Sequence, residues 1–235
     1  MAEGGALLRR YTVYRRIEGS NPSLSATTFV AALWFGVCTA AAAADLTIRL
    51  TNHDGKPLAE AVVFVPAGGS AARPPGPKRA SVVQHSRVFE PFVTVVEKGT
   101  AIDFPNDDTM MHHVYSFSPA KRFEIKLYKG APASPIVFDT PGVVALGCNL
   151  HDWMHAYVVV VDTPYFAKSG ATGVARVAGV PAGTYDLMAW YPGMSEPVRL
   201  RQVALPEDAA RPLELRLDVP VKTRPRAPPL DPMRY

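Results

Sequence analysis

After Asp45 the chain alternates apolar and polar residues at a period of two, and no stretch beyond that point carries a helical period. Leu46, Ile48 and Leu50 alternate with Thr47, Arg49 and Thr51, a pattern that sends successive side chains to opposite faces of a strand. Turn chemistry interrupts the pattern at short intervals, at Asn52 to Pro57 with Asp54-Gly55, at Lys98-Gly99, at Pro141-Gly142 and at Thr172-Gly173. Short strands at this spacing predict an all-β chain built of sandwiches.

Three blocks follow from the pattern. Residues 45–66 hold a first strand and a return strand at Ala61 to Val65, and residues 67–80 are rich in Gly, Pro, Ala and Arg and read as a linker. Residues 81–162 hold strands near Phe92 to Val96, Ala101 to Phe104, His113 to Phe117, Phe123 to Leu127, Ile136 to Phe138, Val143 to Leu146 and Tyr157 to Val161. Residues 163–220 end in the alternating Leu213, Leu215, Leu217 and Val219, and the Pro- and Arg-rich residues 221–235 read as a disordered tail. A two-stranded piece is marginal alone, so residues 45–66 need partners. They are expected to pair with residues 163–220, making residues 81–162 an insertion into a discontinuous second sandwich. The rival is a linear order, with the first strands added to the edge formed by Phe92 to Phe104.

The first 44 residues read as an export signal with cleavage after Ala44: an arginine-bearing start, then sixteen apolar or small residues from Phe29 to Ala44. That run is shorter than the ~20 residues a spanning helix needs, so no stable membrane span is expected once the signal is removed. The segment carries four arginines and two glutamates, which leaves 21 basic and 19 acidic residues behind it. No basic run with interleaved aromatics remains, and nucleic acid is not an expected partner. Cys38 leaves with the signal, so Cys148 is left alone and no intramolecular disulfide can form. A single thiol in an oxidising compartment such as the periplasm needs either burial or a metal.

Cys148, His151 and Met154 form a C-x-x-H-x-x-M run between two strands, and His112 lies upstream in FPNDDTMMHHVY. A thiolate, two imidazoles and a thioether are soft and borderline donors that suit copper in both oxidation states, whereas hard carboxylates would suit calcium or manganese. The bland alternative makes Cys148 a buried structural thiol with His151 and Met154 as mere neighbours, but the joint spacing and the upstream His112 speak against it. A Cys-His hydrolase would need an orienting group and an oxyanion hole, and no such motif is visible, so no catalytic residue is assigned. His53 and His85 read as solvated, and His155 should point away from Met154.

The segments FPNDD…HHVYSF and PGVVALGCNLHDWM resemble the two copper-binding segments of the cupredoxins, of the plastocyanin and amicyanin type, and the chain resembles the cupredoxin-domain proteins labelled as methylamine-utilisation proteins. The resemblance implies one type 1 copper ion on His112, Cys148, His151 and Met154, a Greek-key sandwich over residues 81–162, one-electron transfer in the periplasm and no enzymatic activity. It implies a periplasmic redox protein or enzyme as partner, with a solvent-facing His151 as the electron port and Trp153 and Met154 on its apolar rim. His113 stands where the family has an asparagine that ties the two ligand loops together. The alternative function is copper binding or delivery without a redox partner. Separately, DLTIRLTNHDGKPLAEAVVFV looks like the first hairpin of a carboxypeptidase-regulatory or transthyretin-like sandwich, and ATGVARVAGVPAGTYDLMAWYPG looks like its later strands.

Overall fold

A computed structural model describes residues 43–66 and 78–229. Residues 1–42 with Cys38, residues 67–77 and the last six residues lie outside the described part, whereas Ala44, the last residue of the expected export segment, and Arg79 and Ala80, at the end of the expected linker, lie in strands. The strands are β1 (Ala44–Thr51), β2 (Val62–Phe64), β3 (Arg79–Ser81), β4 (Val83–His85), β5 (Val88–Glu90), β6 (Val93–Glu97), β7 (Thr100–Asp103), β8 (His112–Ser118), β9 (Lys121–Tyr128), β10 (Ile136–Phe138), β11 (Gly142–Gly147), β12 (His155–Val161), β13 (Phe166–Lys168), β14 (Val174–Val180), β15 (Gly183–Trp190), β16 (Val198–Leu205) and β17 (Leu213–Arg216). Beside them stands one 3-10 turn at Glu207–Ala210, so the described chain is all-β as its alternation predicts. No helix among the described residues is long and apolar enough to cross a membrane.

The central block closes on one apolar core. A five-stranded sheet in the order β6-β12-β11-β8-β9 and a three-stranded sheet in the order β10-β7-β3 supply Val93, Val96, Val114, Val144, Leu146 and Val158 from the first and Ile102 and Phe138 from the second. The β4-β5 hairpin adds Phe89, with Val82 just before it. The edge strand β9 places Phe123 and Ile125 against this core and alternates them with Arg122, Glu124 and Lys126, charges that discourage pairing with another chain.

A second core lies between the sheets β14-β1-β17 and β13-β2-β15-β16. Leu46, Ile48 and Leu50 of β1 are fully buried in it. β1 pairs antiparallel with β14 (Ile48 opposite Ala175) and parallel with β17 (Leu50 opposite Leu215), while β2 pairs with β13 and β15. β1 and β2 therefore belong to opposing sheets and do not form the hairpin expected of residues 45–66. The reason is the burial of β2 on both faces: Val63 enters the second core, while Val62 and Phe64 enter the central one. A run of apolar residues without alternation marks such a strand. Its neighbour β15 follows suit, with Leu187 and Ala189 in the second core and Trp190 in the central one, its ring 5.1 Å from that of Tyr157.

Two segments depart from their sequence reading. Residues 163–170, where no strand is read from the sequence, contain β13, and the residue after it, Ser169, is a hub: its Oγ accepts from the Ala61 N–H at 2.9 Å and donates to the Leu58 carbonyl at 2.6 Å. The tail expected to be disordered from Val221 has no strand or helix over residues 221–229 but is held against the body. The Lys222 N–H donates to Tyr191 Oη at 2.9 Å, Arg224 pairs with the buried Glu60, and the Pro228 carbonyl accepts from Arg87 Nη2 at 2.6 Å. Composition alone misses such anchoring because it depends on groups distant in sequence. Ser169→Ala leaves two buried backbone groups without partners, and we expect thermal or urea denaturation to show a loss of about 1–3 kcal/mol.

Candidate metal centre

The site forms where three strand ends meet. His112 opens β8, Cys148 follows the last residue of β11, and His151 and Met154 sit in the turn that leads into β12. Pairing of Gly147 with both His155 and Tyr115 closes the base of that turn. The Tyr115 ring lies against Gly147, where a Cβ would stand 2.7 Å from its Cζ, so a side chain directly before the cysteine would displace that ring. The turn is tightened by the Met154 N–H donating to the His151 carbonyl at 2.9 Å.

One ligand atom each from His112, Cys148 and His151 lies within 4.8 Å of the others, and all three side chains are buried. Cys148 Sγ is 3.9 Å from His151 Nδ1, and the imidazole rings of His112 and His151 are 5.0 Å apart. Met154 is buried in the same core as Cys148. His112 Nε2 is 2.7 Å from Asp108 Oδ2, while its Nδ1 is buried without a hydrogen-bond partner. A carboxylate on one ring nitrogen fixes the proton there and leaves the other lone pair free to bind a metal. An orphaned imidazole nitrogen beside a thiol and a second imidazole fits a soft or borderline metal ion.

The adjacent histidine does something else. His113 Nε2 is 2.9 Å from Glu124 Oε1 on β9, its ring turned away from the cluster as strand alternation requires. His155 starts β12 as an exposed residue and stands edge-on to Phe92 and Tyr157.

The titrating groups are poised against each other. Burial pushes the Cys148 thiol up, but the His112 side chain and the backbone N–H groups of His113, Leu150 and His151 outweigh it and lower the pKa. Burial pushes His112 down, and here Cys148 and Asp108 prevail, so its pKa is raised. His151 is lowered, by burial first and then by the nearby His112 charge. Burial pushes Asp108 up, and it is lowered all the same because the N–H groups of Arg87 and Ser86 and the His112 ring overcome that burial.

The expected electron port is corrected in two respects: His151 is 4% exposed rather than solvent-facing, and Met154 is buried and lies on no surface rim. The ring of Trp153 stands 5.0 Å from it, and Trp153 Nε1 donates to the Arg87 carbonyl at 3.0 Å. Asp108 and Arg87 carry no sequence signal for these roles, since one lies in a loop four residues before His112 and the other in a hairpin turn more than twenty residues away.

No family model matches the chain, and neither does any curated protein. Among solved structures it is similar to a copper-containing nitrite reductase from Thermus scotoductus SA-01 (23% identity, 40% of this chain and 24% of that one, TM-score 0.33). It is also similar to a purple cupredoxin from Nitrosopumilus maritimus (22% identity, 34% and 98%, TM-score 0.31) and to the reduced Cu(I) form of an amicyanin mutant (19% identity, 42% and 97%, TM-score 0.32). At these values, what the site can hold follows from this chain's own side chains.

The opposed shifts of Cys148 and His112 set the behaviour of the metal-free protein. Ultraviolet titration should find the Cys148 thiolate forming at lower pH than in a free cysteine, because His112 favours the charged sulfur. His112→Ala removes that support while burial persists, so the midpoint should move up; a midpoint unmoved by the substitution would contradict the coupling.

Proposed function

We propose that His112, Cys148, His151 and Met154 hold one type 1 copper ion and that the protein is an exported one-electron carrier of the periplasm rather than an enzyme. The observation that carries this reading is the convergence of the His112, Cys148 and His151 donors in a buried pocket, with Nδ1 of His112 free and Nε2 fixed by Asp108. Copper in such a set supplies a Cu(II)/Cu(I) couple, and a trigonal donor plane with a weak axial thioether suits both states. The protein's part is to fix the donors, exclude water and present a path to the surface. Asp108 orients His112, the paired strand ends hold Cys148, and burial keeps the pocket dry.

With His151 buried, the half-buried Trp153 ring becomes its connection to the surface. Met111 and Leu150, 56% and 53% exposed, adjoin His112 and His151 and offer apolar contact to a redox protein or enzyme. We further propose that residues 81–162 are the copper-bearing sandwich and that residues 45–66 with 163–220 form the discontinuous second one, the strand pairings of β1 and β2 being the support. The second reading, copper delivery without a redox partner, is disfavoured by a thiolate in a closed pocket, which retains its metal.

Copper titration with visible absorption and voltammetry tests the function. An intense thiolate-to-copper band and a reversible couple are expected, whereas copper uptake without reversible reduction would favour delivery. Cys148→Ala should abolish the band, and an unchanged spectrum in that variant would overturn the site. Met154→Leu should keep the colour and raise the potential by removing the axial thioether.

A further inference from the structure

The two loops that bear the donors, one ending at His112 and one running from Cys148 to Met154, are joined through a third element that carries no donor. Ser86 and Arg87 form the two-residue turn between β4 and β5. The Ser86 N–H donates to Asp108 Oδ1 at 2.7 Å and the Arg87 N–H to Asp108 Oδ2 at 2.9 Å. On the other side the Arg87 carbonyl accepts the Trp153 Nε1–H at 3.0 Å, and the Arg87 guanidinium lies 5.8 Å from the centroid of the Trp153 ring. The hairpin is also laced to the first loop, its Gln84 N–H donating to the Pro105 carbonyl at 2.8 Å and its Gln84 carbonyl accepting from the Asp107 N–H at 2.9 Å.

The backbone of this turn is unusual for its sequence. Ser86 and Arg87 have φ of +53° and +59°, the left-handed region, which a tight hairpin turn requires and which Asn-Gly fills more easily. Two consecutive left-handed residues aim both amides at one carboxylate, making a small anion cradle. Strained backbone of this kind persists where surrounding contacts over-determine it, and here the contacts are Asp108 on one loop and Trp153 on the other.

We propose that the Ser86–Arg87 turn is the positioning element of the metal centre, holding the His112 loop and the Cys148–Met154 loop in register through the bridge Asp108, Ser86–Arg87, Trp153. The inference rests on the copper reading only for the identity of the ion. Asp108 touches His112, and Trp153 stands against His151, so a shift of the turn moves both imidazoles together.

The test has a metal-free and a metal-bound arm. Trp153→Phe keeps a ring against His151 and removes the donor to Arg87. In the metal-free protein, amide hydrogen exchange at Ser86 and Arg87 should then speed up about tenfold, although neither amide bonds to Trp153; unchanged exchange overturns the bridge. In the copper-loaded protein, Asp108→Asn and Trp153→Phe should each speed copper loss to a chelator about tenfold, the low end of what outer-shell partners contribute. The double variant should lose copper less rapidly than the product of the two effects, because either change alone opens the same bridge; effects that multiply independently overturn it. Ser86→Asn, which accepts left-handed backbone and keeps the amide, should retain copper as well as the wild type does, and a tenfold loss there overturns the assignment to the backbone. If the wild type binds no copper while the exchange coupling is present, the copper reading fails and the bridge stands.

Discussion

Three donor atoms held within 4.8 Å of one another in a buried pocket, one of them an imidazole nitrogen with no hydrogen-bond partner, are costly for a protein to maintain. Left to itself, a buried nitrogen of this kind would turn toward a carbonyl or admit water. Asp108 prevents that for His112 by occupying the opposite ring nitrogen. The Tyr115 ring against Gly147 and the paired ends of β11 and β12 prevent it for the cysteine turn. Much of the central sandwich serves to keep that unsatisfied cluster in place.

The alternation of Leu46, Ile48 and Leu50 and the turn pairs between strands made the all-β class readable, and most central strands lie within two residues of their expected positions. The candidate donors Cys148, His151 and Met154 stand out in the sequence because they fall within seven residues of one another, where spacing alone carries meaning, and the structure brings the first two together with His112. What escaped depends on contacts across the fold. The β4-β5 hairpin has no Gly or Asn in its turn, so its strongest local signal is missing. The burial of His151 depends on Trp153, whose place is fixed by a carbonyl on that same hairpin. The order of Arg224 and Pro228 depends on Glu60 and Arg87, far away along the chain.

The sheet containing β2 and β15 serves two cores at once. Val62, Phe64 and Trp190 face the central sandwich while Val63, Leu187 and Ala189 face the other, so damage to this layer reaches both. Lys168 adds a polar link, bonding the Val93 carbonyl at 2.7 Å and Glu60 at 2.8 Å, and Glu60 in turn receives Arg224 from the tail. A buried carboxylate shared by two cations is weak as a source of stability but strongly specific, since loss of either partner strands charge in the interior.

The parallel pairing of β1 with β17 fixes an order of events as the chain emerges. β1 is the first described strand to appear and β17 the last, so the sheet that holds Leu46, Ile48 and Leu50 cannot close until the chain through Arg216 is available. The central block has its strands in one continuous stretch and can assemble earlier. Until the end arrives, β1 carries three large aliphatic side chains and an open hydrogen-bonding edge, the kind of surface that invites pairing with a second unfinished chain. Until β17 is available, that edge and those side chains have no partner on the β17 side.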